Sequence, residues 1–357
     1  MRSALSDLNP YLVDQNTSGV KLNQNESPYD IPARFKKRIL EALARQPWNR
    51  YPAHPPAGLI AAIARNAGVP KECVVVGNSS NEIIMAALQT ICEPGDALVV
   101  VSPGFAIYPR VGRILGLTMP DVPLRGDFAF DLEPLKAAAQ SAAAVILASP
   151  NNPTGTALGL GQIRDLCRKA KGIVVVDEAY HEFHGINAVR LLREHTNLVL
   201  IRTFSKAFNM AGIRLGYLIA RPDLAKTIEN VKLPFSVGPW QQAAGELILN
   251  QTPFRERIVK RIIKERGRVE AALKAIPGIV PVPSQTNFVL FEIKSGQPAE
   301  IIKDLARNGV LVRTFDHPRL KNHARVTIGT PAENSVFLRT LAQAIKVASR
   351  EGDSERS

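Results

Sequence analysis

The stretch RTFSKAFNMAGIRLG, residues 202–216, places Lys206 and Arg214 just after the apolar run LVLI. Cations beside a buried strand are costly unless an anion or a covalent partner occupies the site. A lysine among other cations and away from bulk water has a lowered pKa, so its amine becomes a nucleophile able to form a Schiff base. Arg214 offers a bidentate fork that suits a phosphate, and Ser205 lies beside the lysine.

Asp177 closes the run GIVVVD, which predicts a buried, central strand. A carboxylate is costly in that place unless it is paired, so we expect a cationic partner for it. A protonated ring nitrogen would serve, and so would an arginine in a structural ion pair. Tyr180, three residues further on, could reach the same ligand.

Two further loops could bind a ligand. In VVVGNSSNEIIMAAL, Ser79 and Glu82 have the spacing of a capping box, and the N–H groups of the helix that begins there, with the hydroxyls of Ser79 and Ser80, predict a phosphate site. In SPNNPTGT, a rigid turn presents the amide of Asn152. The alternatives are an ordinary capped helix and an ordinary asparagine turn. Neither loop matches the dinucleotide or P-loop patterns.

Taken together, the four stretches describe one ligand that has a phosphate, a basic ring nitrogen, a ring oxygen and an aldehyde. Pyridoxal 5′-phosphate (PLP) carries all four groups. In PLP chemistry a lysine holds the aldehyde as an imine, and the ring acts as an electron sink when its nitrogen pairs with an aspartate. The order and spacing of the four stretches therefore predict a PLP site.

The elements that must position these residues follow a regular pattern. From about residue 70 to 230, apolar runs such as ALVVV and LVLIRT alternate with amphipathic or Ala-rich segments. This pattern predicts an α/β domain with a mostly parallel sheet, helices on both faces and ligands at the carboxyl ends of the strands. After about residue 240 the pattern of predicted helices and short strands indicates a smaller α+β domain. We predict an N-terminal arm (1–30), a large PLP-binding domain (31–245) and a small C-terminal domain (246–357).

Composition narrows the functional classes. The 357 residues are 45% hydrophobic and 22% charged, as in an ordinary globular protein, and they contain neither an apolar run of membrane-spanning length nor an apolar signal core. The three cysteines have no CxxC spacing, and the six histidines form no ligand-spaced cluster with them. We therefore expect a cytoplasmic protein without disulfides, a metal or a membrane partner.

The net charge of +13 fits anionic small-molecule substrates. The basic stretch RERIVKRIIKERGR has apolar residues at helical spacing, which favours a solvated helix face, and no nucleic-acid-binding signature accompanies it. Nucleic acid is therefore not expected as a partner.

Further motifs extend over nearly the whole chain, namely KLNQNESPY, RYPAHPP, GNSSNE, SPNNPTG, DEAYHEF, SKAF…AGIRLGY, TNFVLF and RVTIGT. With them the chain resembles the fold-type I PLP-dependent aminotransferases, and DEAYHEF, NQNESP and RYP resemble the histidinol-phosphate subgroup. The resemblance implies a ping-pong reaction of histidine biosynthesis, in which L-histidinol phosphate and 2-oxoglutarate give imidazole acetol phosphate and L-glutamate.

Around the cofactor ring, the resemblance assigns roles by position. It implies that Lys206 forms the internal aldimine and later moves the proton, and that Asp177 pairs with the pyridine nitrogen. Asn152 and Tyr180 would bond the ring hydroxyl. Phe105, in SPGFAIY, matches the aromatic residue that stacks on the ring, which is often a tyrosine in this group.

For the phosphate and the substrate, the resemblance implies further contacts. The phosphate would be held by Ser205, Arg214 and the amides near Ser80 and Asn81, where the family commonly has an aspartate in place of Asn81. Tyr51, in RYP, matches a residue lent to the cofactor phosphate of the neighbouring subunit, which implies a homodimer with shared active sites.

Arg325, in RVTIGT, matches the arginine that grips the substrate's anion near the α-carbon. Arg313 would be a second anion clamp, with a surface ion pair as the alternative. Asn25 and Tyr11 would form part of the entrance, although PYLVDQN lacks the Pro-Gly that often follows the tyrosine of the arm.

Other reactions on the same scaffold stay open. They are transamination of aromatic or other amino acids and decarboxylation of a phosphorylated amino acid. A PLP-binding regulator that contacts DNA would need an added DNA-binding domain, and the arm of about thirty residues has no room for one.

Overall fold

The structure is a computed structural model that describes residues 5, 6, 8, 10 and 19–354. Its strands are β1 (Val20–Lys21), β2 (Val74–Asn78), β3 (Leu98–Ser102), β4 (Asp121–Pro123), β5 (Ala144–Ala148), β6 (Ile173–Asp177), β7 (Leu198–Thr203), β8 (Leu215–Ile219), β9 (Ile279–Pro281), β10 (Phe288–Ile293), β11 (Val310–Leu311) and β12 (His323–Thr327). Its helices are α1 (Ala33–Ala44), α2 (Ala57–Ala67), α3 (Ser79–Ile91), α4 (Ile107–Leu115), α5 (Leu132–Ala139), α6 (Leu160–Lys169), α7 (His181–His184), α8 (Pro222–Val231), α9 (Pro239–Leu249), α10 (Thr252–Lys274), α11 (Pro298–Arg307) and α12 (Pro331–Ser354).

A seven-stranded sheet with the order β2-β8-β7-β6-β5-β3-β4 forms the centre of the fold. Only β8 runs antiparallel to its neighbours, β2 and β7, while the other pairings are parallel. The predicted α/β class with a mostly parallel sheet is therefore confirmed. The carboxyl ends of β5, β6 and β7 meet at one edge, where a doubly covered sheet binds its ligands.

The apolar runs fold into central strands because both of their faces are buried. Along β6, Val174 and Val176 pack into one hydrophobic cluster while Val175 packs into the cluster on the opposite face of the sheet. Alternate residues therefore need equal hydrophobicity, which is why these runs show no polar alternation. Helices such as α3 and α5 cover the two faces, although α5 ends at Ala139, earlier than the Ala-rich segment suggested.

After residue 245, a three-stranded antiparallel sheet with the order β12-β10-β9 packs beside the long helix α10. β11 pairs in parallel with β1, the first described strand, so residues near position 20 meet residues near position 310. Arg313, which follows β11, and Arg325, which lies in β12, are joined by a single antiparallel backbone bridge. The division into an arm and two domains stays a prediction. Among the described residues, no helix is both long and apolar enough to cross a membrane.

Candidate active site

A cavity of about 510 Å³ lies at the carboxyl ends of β5, β6 and β7. It gathers most of the predicted side chains. Those that line it are Asn25, Ser80, Asn81, Phe105, Asn152, Asp177, Tyr180, Ser205, Lys206, Arg214, Arg313 and Arg325. The structure thus brings together residues that lie up to 300 positions apart in the sequence.

Two of the predicted residues that the structure describes, Ser79 and Tyr51, do not line this cavity. Ser79 is buried at the start of α3, and Tyr11 lies outside the described residues. Tyr51 is 81% exposed and stacks on Phe235, with ring centroids 4.6 Å apart. Within a single chain, therefore, Tyr51 is not part of the cavity wall.

Lys206 follows β7 and projects into the cavity. Its Nζ donates a hydrogen bond to the carbonyl of Gln24 at 3.3 Å and lies 5.9 Å from the ring centre of Tyr180. Removal from bulk water lowers the pKa of Lys206 to about 8, and the nearby positive charges of Arg325 and Arg214 act in the same direction. A much larger fraction of this amine is neutral near pH 7 than of a lysine in water, so it can act as a nucleophile or as a base.

Asp177 is buried at the end of β6 and accepts two hydrogen bonds. The hydroxyl of Tyr108 donates to Oδ2 at 2.9 Å, and the backbone N–H of Ala179 donates to Oδ1 at 3.0 Å. Burial raises the pKa of Asp177 to about 6, although both hydrogen bonds and the charge of Lys206 oppose the rise. The carboxyl group is thus held ready for a partner that carries positive charge.

The arginine that could have formed a structural ion pair with Asp177 has another partner. Arg202, on the neighbouring strand β7, donates from Nε and Nη2 to Oε2 of Glu178 at 2.9 and 2.7 Å. The other oxygen of Glu178 accepts the backbone N–H of Ala188 at 2.8 Å. Arg202 is therefore not the cationic partner of Asp177, and neither of the two hydrogen-bond donors to Asp177 is an arginine.

At the other end of the cavity, the first turn of α3 meets Ser205 and Arg214. The Ser205 hydroxyl is fixed by a hydrogen bond from Thr203 Oγ1 at 3.0 Å. Gly216 lets β8 approach this turn, because a Cβ at that position would overlap the backbone nitrogen of Ser80. Backbone N–H groups at a helix start, hydroxyl groups and a guanidinium are a suitable donor set for a phosphate.

The predicted capping box at the start of α3 is wrong in one half. Glu82 does reach back, and its carboxylate accepts the backbone N–H of Asn78. Asn78 is the N-cap residue, however, and Ser79 is already in the helix with a φ of +67° and makes no capping bond. The left-handed conformation of Ser79 turns the chain sharply between β2 and α3.

Arg325 forms the wall opposite the sheet, where it is 6% exposed. Its guanidinium carbon lies 5.1 Å from the ring centre of Phe288 and 5.5 Å from that of Phe315. Nη1 donates to the Asn152 side-chain oxygen, and Nη2 donates to the Asn23 carbonyl at 2.9 Å. The guanidinium is therefore held in one orientation before any ligand arrives.

Asn25 links the N-terminal segment to the same wall. Its side-chain amide donates to the Tyr180 hydroxyl at 3.0 Å, and its backbone N–H donates to Thr327 Oγ1 at 2.9 Å. Arg313 lies next to Arg325 because two backbone hydrogen bonds, of 2.9 and 2.8 Å, join the two residues. Both guanidinium groups line the cavity, so it offers positive charge at two neighbouring points.

Comparison with known proteins decides the family. The sequence profile of the family described as aminotransferase class I and II matches residues 17–341. The chain belongs to this family. It is an aminotransferase, as the sequence predicted.

Similar proteins cover this aminotransferase almost completely. Histidinol-phosphate aminotransferase of Thermococcus kodakarensis is 39% identical over 344 residues, which are 96% of this chain and 98% of that protein. The protein of the same name from Chlorobaculum tepidum is 34% identical over 346 residues, which are 96% of this chain and 99% of that one.

A solved structure confirms the fold. The crystal structure of histidinol-phosphate aminotransferase from Sinorhizobium meliloti in complex with pyridoxal-5′-phosphate has a TM-score of 0.89, covers 97% of this chain and 98% of that chain, and is 22% identical in sequence. The aminotransferase therefore has the predicted fold-type I architecture.

Some residues at the site of this aminotransferase escaped the sequence reasoning. Tyr108 donates to Asp177, Thr203 holds Ser205, and Gln24 and Glu26 line the cavity. Tyr108 lies three residues after the predicted stacking residue Phe105, and the two rings meet edge-on. No local signal marks Thr203, which looks like an ordinary strand residue.

Proposed function

We propose that this aminotransferase uses PLP to transfer the amino group of L-histidinol phosphate to 2-oxoglutarate, giving imidazole acetol phosphate and L-glutamate. The observation that carries the proposal is the pairing of Asp177 and Lys206 across one cavity, with the arginines Arg214, Arg313 and Arg325 around it. The names of the relatives that are 39% and 34% identical support the choice of substrate.

The residues present fit PLP. Asp177 is a buried carboxylate, and the neighbouring Arg202 forms its ion pair with Glu178 instead. Asp177 therefore suits a protonated ring nitrogen. The first turn of α3, with Ser205 and Arg214, suits the phosphate. Lys206 would hold the aldehyde carbon covalently. When bound, PLP supplies an electron sink that stabilises negative charge at the α-carbon of the substrate.

Near the reacting atoms, Lys206 would transfer protons and Tyr180 would donate a hydrogen bond. With a pKa of about 8, Lys206 Nζ can release a proton near neutral pH and then accept one from the α-carbon of the substrate. The Tyr180 oxygen accepts from Asn25, and its O–H would donate to a ring oxygen of the bound cofactor. Phe105 lies edge-on to Tyr108 and would pack against the ring.

Arg313 and Arg325, which lie side by side in the cavity wall, would allow the site to bind two different anionic substrates. Arg325 would bind the carboxylate of glutamate or the phosphate of histidinol phosphate, because both anions match its bidentate fork. Arg313, which shares the wall, would bind a second anionic group. Asn25 and Asn152 hold Tyr180 and Arg325 in place and would border the substrate.

A homodimer with shared active sites is part of the proposal. The stacked rings of Tyr51 and Phe235, 81% and 41% exposed among the described residues, present aromatic surface to the solvent, and Tyr51 would complete the phosphate site of the neighbouring subunit. Sedimentation velocity measures the mass in solution. A mass of one chain at working concentrations of the active enzyme contradicts the shared site.

The substrate is tested with the PLP-loaded protein. L-histidinol phosphate, L-phenylalanine and O-phospho-L-threonine are added separately while the visible absorbance of the cofactor is followed. We expect histidinol phosphate to convert the cofactor. Conversion by phenylalanine but not by histidinol phosphate would indicate an aminotransferase for other amino acids, and release of CO₂ from phosphothreonine would indicate a decarboxylase.

The site is tested with Lys206→Ala. This variant should lose turnover, whereas Lys303→Ala, which removes a side chain that is 61% exposed on α11, should keep the parental rate. Turnover by Lys206→Ala at the parental rate contradicts the assignment.

A further inference from the structure

Tyr108 projects from α4 toward the floor of the cavity, where it is 1% exposed. Its hydroxyl donates to Asp177 Oδ2 at 2.9 Å. Its ring stands edge-on to Phe105, with ring centroids 5.4 Å apart. The phenol is thus fixed by packing on one side and by the carboxylate on the other.

In the hydrogen bond between Tyr108 and Asp177, the tyrosine is the donor and the carboxylate is the acceptor. A buried hydroxyl is costly unless it is hydrogen-bonded, and burial together with the charge of Asp177 holds the pKa of Tyr108 well above its usual range. Tyr108 therefore keeps its proton near neutral pH and acts as the donor to Asp177. A donor to a carboxylate stabilises its anionic form, and this bond opposes the rise that burial causes in the pKa of Asp177.

We propose that Tyr108 is a positioning residue, which keeps the Asp177 carboxylate anionic and aimed at the ring nitrogen of the cofactor. This inference rests on the proposed function, because it presumes that Asp177 pairs with that nitrogen. Tyr108 binds Oδ2 and the Ala179 N–H binds Oδ1, so the carboxylate cannot rotate without breaking a hydrogen bond. The remaining lone pairs of the carboxylate are then presented in one direction.

Tyr217 offers a matched control. It is also a buried tyrosine, 2% exposed, and it lies on the neighbouring strand β8. It does not line the cavity, and its polar neighbour is Arg202 instead of Asp177. Tyr108→Phe and Tyr217→Phe therefore each remove one buried oxygen, but only the first removes an oxygen from Asp177.

The test compares two ligands, PLP and the analogue in which carbon replaces the ring nitrogen. Both carry the aldehyde and the phosphate, so they differ only where Asp177 would act. Equilibrium dialysis gives the dissociation constant of each ligand for each protein. We expect Tyr108→Phe to weaken PLP binding roughly tenfold to hundredfold, the range for a lost hydrogen bond to a charged group, and to change analogue binding less than about twofold. Tyr217→Phe should affect both ligands alike.

Two results would overturn the inference. An equal loss for PLP and for the analogue would show that Tyr108 only supports the fold, and unchanged PLP binding would show that Asp177 does not need it. If the parental protein fails to bind PLP, the proposed function fails as well, which distinguishes the two failures.

A second set of variants separates an effect through Asp177 from a general loss of stability, with circular dichroism checking that each variant is folded. In the Asp177→Asn background, adding Tyr108→Phe should cause no further loss of PLP affinity, because the group on which Tyr108 acts has been removed. Independent, multiplying losses would contradict the inference.

Discussion

The amine of Lys206 should lose its proton at an unusually low pH even before the cofactor arrives. Burial and the arginines lower its pKa to about 8, whereas a lysine in water has a pKa of about 10.4. A difference of about 2.5 units corresponds to a roughly 300-fold larger neutral fraction near pH 7. The cofactor-free protein should therefore show one lysine that reacts far faster than the rest.

Competitive labelling measures this directly. Trace acetic anhydride is added to the cofactor-free protein between pH 6 and 11, and mass spectrometry gives the labelled fraction of the peptide that contains Lys206. An added small amine of known pKa serves as the internal standard for reagent concentration, and its own ionisation is divided out at each pH. Normalised labelling of Lys206 should rise with a midpoint near pH 8 and then level off.

Arg325→Met tests the cause of the shift. It removes the largest electrostatic contribution that lowers the pKa, while burial, the largest contribution of all, remains. The midpoint should move upward and still stay below that of a lysine in water. A parental midpoint at or above about pH 10 would refute the reasoning on burial. An unchanged or lower midpoint in Arg325→Met would refute the reasoning on charge.

Two further predictions concern the support of the site. Arg202→Met leaves the Glu178 carboxylate buried without its partner, which costs about 3–5 kcal/mol and, for a chain of 357 residues, lowers the melting temperature by roughly 4–7 °C. Arg164→Met, which breaks a solvent-exposed pair, should lower it much less in the same calorimetric scan, and equal shifts would contradict the argument. Gly216→Ala pushes β8 against the first turn of α3, so calorimetric titration with PLP should show binding that is roughly tenfold weaker or more. Gly267→Ala, where a Cβ meets no atom, is the control, and equal affinities of the two variants would contradict the role of Gly216.

Local sequence patterns predicted the strand ends well. Asp177 and Lys206 each follow an apolar run, and such a run has to become a central strand because both of its faces need burial. Once the sheet is parallel, the ends of its strands meet, so the shared position of Asp177 and Lys206 at one edge follows from the topology.

Contacts between distant elements could not be predicted in the same way. The bond from Tyr108 to Asp177 joins a helix to a strand 69 residues away, and its geometry depends on how α4 packs. Arg202 pairs with Glu178 and not with Asp177 because of the register in which β7 lies beside β6. The start of α3 could not be predicted exactly either. The spacing of Ser79 and Glu82 suggests a capping box, but it does not determine the backbone φ angle of Ser79.

The pairing of β1 with β11 has a consequence for how this enzyme is made. Val20 leaves the ribosome long before its partner Val310, and the wall residue Arg325 is translated later still. The bond between Thr327 and Asn25 closes a separation of 302 residues. A nascent or truncated chain can form much of the central sheet but cannot close the cavity, because long-range contacts of this kind form only once both segments exist. Tight cofactor binding would thus report that the segment from Val310 to Thr327 has been made and has joined the N-terminal segment.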